Sequence, residues 1–164
     1  MTIPAETFPK RIMATRAAAE PLVYERDDSV LALPTAVATA LDADVVFALA
    51  GQGVTVVSVA GLQLAGGATA EGLAVYRLTD GGRAVPTGRA FVQFAGGERA
   101  ADHADELHDA GYAVDHLPAY APHAAWVKPL SNRPADGLRG ISKLQALPDV
   151  VAAEPEMLWP MTRR

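Results

Sequence analysis

The amino-acid sequence predicts a two-lobed α/β protein, and the second half of the chain carries most of the evidence. β-branched and aromatic residues are concentrated in short runs, which is typical of strands. Two longer segments place small or apolar residues three positions apart, as one face of a helix requires. Glycine and proline separate these segments. The resulting order between Arg89 and Leu158 is strand, helix, strand, strand, helix, strand.

The first four elements of the second half are short and clearly bounded. Residues 89–94 (RAFVQF) predict a strand, and residues 98–110 predict a helix that Gly111 ends as its C′ residue. Residues 112–117 and 124–128 predict two further strands. Prolines in the connection between these two strands indicate a loop.

The last two elements are a helix over residues 134–147 and a strand over residues 150–158. Pro134 is tolerated in the first turn of this helix, and Pro148 ends it. The apolar face of the helix would consist of Leu138, Ile141 and Leu144. Pro155 has no N–H to donate, which predicts that the last strand lies at a sheet edge.

The first half predicts a smaller α/β lobe over residues 21–86. The runs at 54–59 and 73–78 are strongly β, and each follows a helix-like segment. This order repeats the opening of the second half in outline. The smaller lobe is therefore interpreted as a possible degenerate repeat of the second lobe.

Four regions are thus predicted along the chain. Residues 1–20 lack periodicity and are interpreted as a mobile arm. The lobe of residues 21–86 follows, and the glycines and prolines around Gly88 mark its boundary with the second lobe, residues 88–158. Residues 159–164 form a short C-terminal tail.

Three segments resemble parts of the N-terminal propeptides, or propeptide-like inhibitor domains, of subtilisin-like (subtilase) serine proteases. They are residues 88–94, residues 107–114 and above all residues 144–156 (LQALPDVVAAEPE). In that family the last segment is a helix ending in a Leu-Pro-Gly-Val-like turn, then a strand leading to Glu-Pro and to the part that enters the protease cleft. Asp149 stands where glycine is usual, and aspartate also suits turns.

The resemblance implies a fold and a function for the second lobe. The fold would be a ferredoxin-like βαββαβ antiparallel sheet with two helices on one side. The protein would be a stand-alone binder of a subtilisin-like serine protease, acting as an inhibitor or a folding chaperone, with its tail extended in the substrate cleft. The implied protease-binding residues are Glu154, Glu156, Met157, Leu158, Trp159, Pro160, Met161, Thr162, Arg163 and Arg164.

Composition argues against several function classes. The formal net charge is −5 and no region concentrates positive charge, so neither nucleic acid nor a membrane is an expected partner. The chain has no cysteine, which excludes disulfides and thiolate chemistry. No run of about 18 apolar residues predicts a spanning helix. Residues 1–26 lack the apolar core of a signal peptide, so a cytoplasmic location is expected.

Neither a catalytic site nor a cofactor site is predicted. None of the serines stands in a Gly-x-Ser-x-Gly pattern. Asp105, His108 and Asp109 have the spacing of one helix face and could hold a metal. A solvated helix surface is the preferred interpretation of these three residues, because a closed metal site needs further ligands. The prediction is therefore no catalytic residue, no metal and no cofactor.

Two histidines and two tryptophans have roles that the sequence leaves open. His116 and His123 flank a proline-bounded loop and are interpreted as surface residues, with a pH-sensing role as the alternative. Trp126 is interpreted as a core aromatic residue, with ligand stacking as the alternative. Trp159 lies next to Pro160 after the last predicted strand, where an interfacial and a structural role are equally favoured.

Two other functions stay open at this point. The chain could be a non-catalytic assembly or interaction module with a ferredoxin-like fold, which would form homo-oligomers. It could also be a small enzyme, since fold does not determine function. Oligomers formed without protease binding would favour the first alternative, and turnover in a hydrolase screen would favour the second.

Overall fold

The computed structural model describes residues 8–60, 72–79 and 81–160. Within these residues the chain forms nine strands and four short α-helices. The strands are β1 (Arg11–Arg16), β2 (Ala19–Pro34), β3 (Val45–Leu49), β4 (Val54–Ser58), β5 (Leu73–Leu78), β6 (Arg83–Phe94), β7 (Tyr112–His116), β8 (Ala124–Pro129) and β9 (Val150–Leu158). The helices are α1 (Thr35–Ala40), α2 (Ala104–Asp109), α3 (Pro134–Arg139) and α4 (Ile141–Gln145). Two 3₁₀ turns span Ala50–Gln52 and Ala100–His103.

Five antiparallel strands close into a β-barrel. Strand β2 pairs with β1 and β5, β5 pairs with β6, β6 pairs with β9, and β9 pairs back to β1. The other four strands extend this barrel outward. Strands β4 and β3 continue from β2, while β8 and β7 continue from β6. All nine described strands therefore belong to one hydrogen-bonded system.

The predicted fold class, a two-lobed α/β protein with a ferredoxin-like second lobe, is wrong. Strands take 50% of the structure and helices 21%, so the protein is mostly β. The sequence analysis did not predict the pairing partners of the strands. In the barrel β6 also pairs with β5, and β9 also pairs with β1. The first half likewise supplies barrel strands instead of a smaller α/β lobe of its own.

Two predicted boundaries fall inside strands. Gly88, the predicted boundary between lobes, lies within β6, and the predicted arm, residues 1–20, contains β1. Residues 1–7 of that arm lie outside the described residues. The prediction that β9 is an edge strand is also wrong, because β9 lies between β1 and β6. Strand β1 reaches β9 in register only at Thr15 and Ala153, so Pro155 lies beyond that ladder.

Most of the predicted local elements are present. The runs at 54–59 and 73–78 correspond to β4 and β5, and the four strands predicted after residue 88 correspond to β6, β7, β8 and β9. The first predicted helix is divided into a 3₁₀ turn and α2, and the second is divided at Gly140 into α3 and α4. Gly111 has a φ of 97° directly after α2, which confirms its prediction as the C′ residue.

The largest core cluster joins residues of the barrel strands to residues of the helices. On the barrel side it contains Ile12 and Tyr76, and on the helix side it contains Leu107, Leu138 and Leu144. Helices α2, α3 and α4 therefore pack on one face of the strands β6 to β9, and α4 also contacts β1. Burial of this continuous apolar surface is the main driving force for folding.

Glycines allow α3 to pack directly on the backbone of β6. A Cβ atom on Gly137 would lie 2.0 Å from the carbonyl oxygen of Gly88. The Tyr112 Oη donates a hydrogen bond of 2.5 Å to the carbonyl oxygen of Gly137 from the other side. A Cβ on Gly140 would lie 2.5 Å from the same Tyr112 hydroxyl. The contact between α3 and β6 thus depends on residues that have no side chain.

An ionic cluster connects three strands at one end of the barrel. The Oδ2 atom of Asp27 in β2 accepts hydrogen bonds from Arg77 Nη2 of β5 at 2.7 Å and from Arg83 Nε of β6 at 3.0 Å. Its Oδ1 atom accepts from the Ser29 hydroxyl at 2.5 Å. Burial by itself would raise the pKa of Asp27, but the bonds from Ser29, Arg83 and Arg77 outweigh it and lower the pKa to about 2.

We expect Gly137→Ala to destabilise the protein by about 1–3 kcal/mol, because the new methyl group overlaps the Gly88 carbonyl. Urea denaturation followed by circular dichroism measures this loss. Gly96→Ala is the matched control, since no atom lies within 4 Å of its Cβ position, and it should change stability by less than about 0.5 kcal/mol. Equal effects of the two variants would show that α3 does not pack on β6 as described.

We expect the Asp27 cluster to make the fold acid-sensitive. The folded pKa of Asp27 lies below its ordinary value, so its stabilisation is complete above about pH 4 and is lost as the pH falls towards 2. Urea denaturation measures the free energy of unfolding at pH 6 and at pH 2.5. The loss of this free energy between the two pH values should be about 2 kcal/mol smaller in Asp27→Asn than in the wild type. Asp105→Asn, at an exposed carboxylate of α2, is the control and should keep the wild-type difference.

Candidate interaction surface

The sheet formed by β9, β6, β8 and β7 has two different faces. Along β6, Ala90 and Val92 are buried against the helices, whereas Arg89, Phe91 and Gln93 alternate with them and are only partly buried. Because successive side chains of a strand point to opposite sides, these three residues face away from the helices. The second face is therefore the more accessible face of this sheet.

An aromatic pair lies at the centre of the second face. Phe91 of β6 and Trp126 of β8 are directly opposite in the antiparallel register. Their ring centroids are 4.8 Å apart with the planes tilted by 50°, a favourable geometry for an aromatic pair. Glu154 of β9 is opposite Phe91 on its other side. Burial raises the pKa of this carboxyl group, and the charge of Arg16 acts in the opposite direction.

Arg89 connects the strands on either side of this pair. Its Nη1 atom lies 2.9 Å from Asp115 Oδ2 of β7, and its Nη2 atom lies 3.2 Å from Glu156 Oε2 of β9. The guanidinium carbon is 5.0 Å from the centroid of the Trp126 ring, within cation–π range. Its Nε atom is buried and makes no hydrogen bond to any residue that the structure describes.

These side chains form a single preorganised surface. We refer to it as the Arg89 face, and its members are Arg89, Phe91, Asp115, Trp126, Glu154 and Glu156. The side chains of Arg89, Asp115 and Glu156 are 37%, 27% and 26% exposed, so they remain within reach of a partner. Arginine and tryptophan are the residue types that most often dominate binding energy at protein interfaces. The Arg89 face can supply ion pairs, hydrogen bonds and aromatic contacts.

The predicted protease-binding residues of β9 divide between this face and the core. Glu154 and Glu156 belong to the Arg89 face, and the β9 register pairs the segment from Glu154 to Leu158 with β6. Met157 packs against the main core cluster, and Leu158 packs against a second cluster that contains Val85. These two residues therefore serve the fold in the structure as described.

The predicted tail begins at a partly exposed tryptophan. Trp159 is 42% exposed, and its ring centroid lies 6.3 Å from that of Tyr24 in β2. Pro160 is the last described residue. The remaining predicted residues of the tail, Met161, Thr162, Arg163 and Arg164, lie outside the described part of the chain.

The described part of the chain brings no metal-binding group together. Among the described residues there is no cluster of three or more histidine, aspartate or glutamate side chains with the geometry of a metal site. His108, one of the residues considered for such a site, is exposed on α2, and so is His116 at the end of β7. Also within the described residues, no helix is both long enough and apolar enough to cross a membrane.

His103 is a residue that the sequence analysis did not single out. It is only 7% exposed and lies between two glutamates, Glu98 and Glu106. The spacing of His103 and Glu106, three positions apart on one helix face, is the only signal in the sequence, and it is common on solvated helices. Burial of the ring comes from stacking on Phe94, which the sequence could not reveal.

Comparisons of the chain with protein-family models, with curated proteins and with solved structures found no match.

We expect the ion pairs of Arg89 to contribute modestly to stability, because they are partly exposed. A double-mutant cycle with Arg89→Met and Glu156→Gln should give a coupling energy of about 0.2–1 kcal/mol in chemical denaturation. The emission of Trp126 should also shift in Arg89→Met, since the guanidinium lies over its ring. Lys128→Met, at an exposed position of β8, is the control. A coupling energy near zero together with unchanged fluorescence would contradict the described cluster.

Proposed function

We propose that this protein binds a subtilisin-like serine protease, as an inhibitor or as a folding chaperone. The observation that carries the proposal is the Arg89 face, a partly exposed sheet surface with an aromatic centre and a fixed guanidinium. The choice of partner is supported by the resemblance of residues 88–94, 107–114 and 144–156 to protease propeptides. The compartment proposed is the cytoplasm, on the sequence pattern of residues 1–26.

The physical basis of binding would be a rigid, partly desolvated surface. Asp115 and Glu156 hold the Arg89 guanidinium, and Phe91 restricts the Trp126 ring. Side chains that are already ordered lose little conformational entropy when a partner docks. The partner would cover the aromatic pair and compete for the remaining hydrogen-bonding capacity of the charged groups.

The tail would supply the second contact. Because residues up to Leu158 pair with β6, an extended segment for the substrate cleft would begin at Trp159. A segment of this kind binds as an extra β-strand, which pairs with the strand that lines the substrate cleft of the protease. The two contacts are joined within one chain, so each would raise the effective concentration of the other.

We expect the Arg89 face to determine affinity for the protease. Trp126→Ala should weaken binding to a purified subtilisin-like protease at least tenfold, which corresponds to about 1.4 kcal/mol. Calorimetry measures the affinity, and hydrolysis of a peptide substrate measures inhibition. Lys143→Ala, at an exposed position on the helix side, should bind like the wild type. If folded wild-type protein neither binds nor refolds any member of a panel of such proteases, the proposal is wrong.

We also expect the tail to contribute to binding and little to stability. Truncation after Leu158 removes the Trp159 ring, which is 42% exposed, so the melting temperature should fall by only a few degrees. Affinity for the protease should fall at least tenfold. A truncated protein that unfolds would instead show that the contact between Trp159 and Tyr24 belongs to the core.

A second candidate function is self-association, and the β3 edge favours it. Within the described strands, β3 forms one end of the sheet order, and Val45 and Val46 are 60% and 42% exposed there. An uncharged edge strand can pair with the same strand of a second copy. Analytical ultracentrifugation distinguishes this function, since Val46→Lys would reduce any dimer while leaving protease binding unchanged.

A further inference from the structure

The buried His103 side chain lies in a clamp between two partly exposed carboxylates. Its Nδ1 atom is 3.1 Å from Oε2 of Glu106, and its Nε2 atom is 3.1 Å from Oε2 of Glu98. The imidazole ring stacks on Phe94 with centroids 4.2 Å apart and planes within 11° of parallel. Glu98 precedes the 3₁₀ turn that contains His103, and Glu106 follows it in α2.

This arrangement selects the protonated form of the ring. A neutral imidazole has one N–H donor and one acceptor nitrogen, whereas an ionised carboxylate can only accept. A neutral His103 would therefore turn one lone pair towards a carboxylate oxygen. The imidazolium donates to both glutamates, and its charge also interacts favourably with the face of Phe94.

The charged groups around the His103 ring also favour its protonated form. Burial would lower the pKa of His103, but the hydrogen bonds to Glu106 and Glu98 and the charges of these two groups raise it above its ordinary value. Among the described residues, these are the ionised groups that act on the ring. Strand β6 contributes the apolar Phe94 side chain to this site.

The clamp lies where three connections of the sheet meet. The Ala95 amide donates to the Asp149 carbonyl before β9 at 2.7 Å, and the Ala100 amide donates to the Pro122 carbonyl before β8 at 2.9 Å. Glu98 belongs to the connection between these two amides. Its bond to His103 therefore ties that connection to the start of α2.

We propose that His103 is a pH-sensitive latch, which holds the connection of residues 95–99 against α2 while its ring is protonated and releases it when the ring loses its proton. Because the folded pKa is raised, the stabilisation is complete below about pH 6.5 and is lost as the pH rises through the folded value above it. This inference is independent of the proposed function, since it concerns the fold of the chain alone.

Nuclear magnetic resonance tests the latch in the wild-type chain. The ring protons of His103 should titrate above pH 6.5, and the protection factors of the Glu98 and Ala100 amides, which donate to Ala95 and Pro122, should fall over the same pH range. Glu98→Gln and Glu106→Gln should each move the His103 titration to lower pH. A His103 titration at or below pH 6.5, or protection factors that do not change with it, would overturn the proposal.

A histidine variant supplies the matched comparison. His103→Gln should remove the loss of stability that the wild type shows as the pH rises above about 6.5. His108→Gln, at an exposed position of the adjoining helix α2, should retain that loss. If His103→Gln does not fold, the wild-type titration and the Glu98→Gln variant still decide between the outcomes.

Discussion

The pairing of β6 is the constraint on which the rest of the structure depends. Its first residues pair with β5, its last residues pair with β8, and β9 follows it along most of its length. Strand β6 therefore belongs both to the closed barrel and to the sheet that carries the Arg89 face. The change of partner occurs around Gly88, where the register with β9 shifts and φ is 94°. Only a glycine adopts this conformation without strain while leaving room for Pro134.

The sequence predicted local structure well because local structure follows from local patterns. Alternation in β6, β7 and β8 and the three-residue spacing in α3 and α4 are visible in short windows. Barrel closure is not visible there, since a strand's pattern states which face is buried and not which strand lies at each edge. Pro86 and Gly88 illustrate the difference. Both are typical of turns, yet they lie in an irregular part of a long strand.

The candidate surface was predictable only in part. Trp126 and Arg89 were visible as a tryptophan and an arginine on strands, but their contact depends on the register of β6 with β8. Glu154 and Glu156 were associated with partner binding through the resemblance, and the structure places them on the Arg89 face through their pairing with β6. His103 became identifiable only when Phe94 and Glu98 were brought to it by the turn after β6. In each case the missing information was a contact between distant strands or across a turn.

The pairing of β1 with β9 has a consequence for how the chain folds during synthesis. Thr15 and Ala153 are 138 positions apart, and the Thr15 hydroxyl accepts a hydrogen bond of 2.9 Å from the Ala153 amide. The barrel therefore cannot close until Ala153 has left the ribosome. Until then the free edge of β1 stays unpaired, and contacts of such long sequence separation form slowly. A nascent chain with an open strand edge is prone to pair with other chains. The pairing of β9 with β1 thus ends the period in which this edge of β1 is unpaired in the nascent protein.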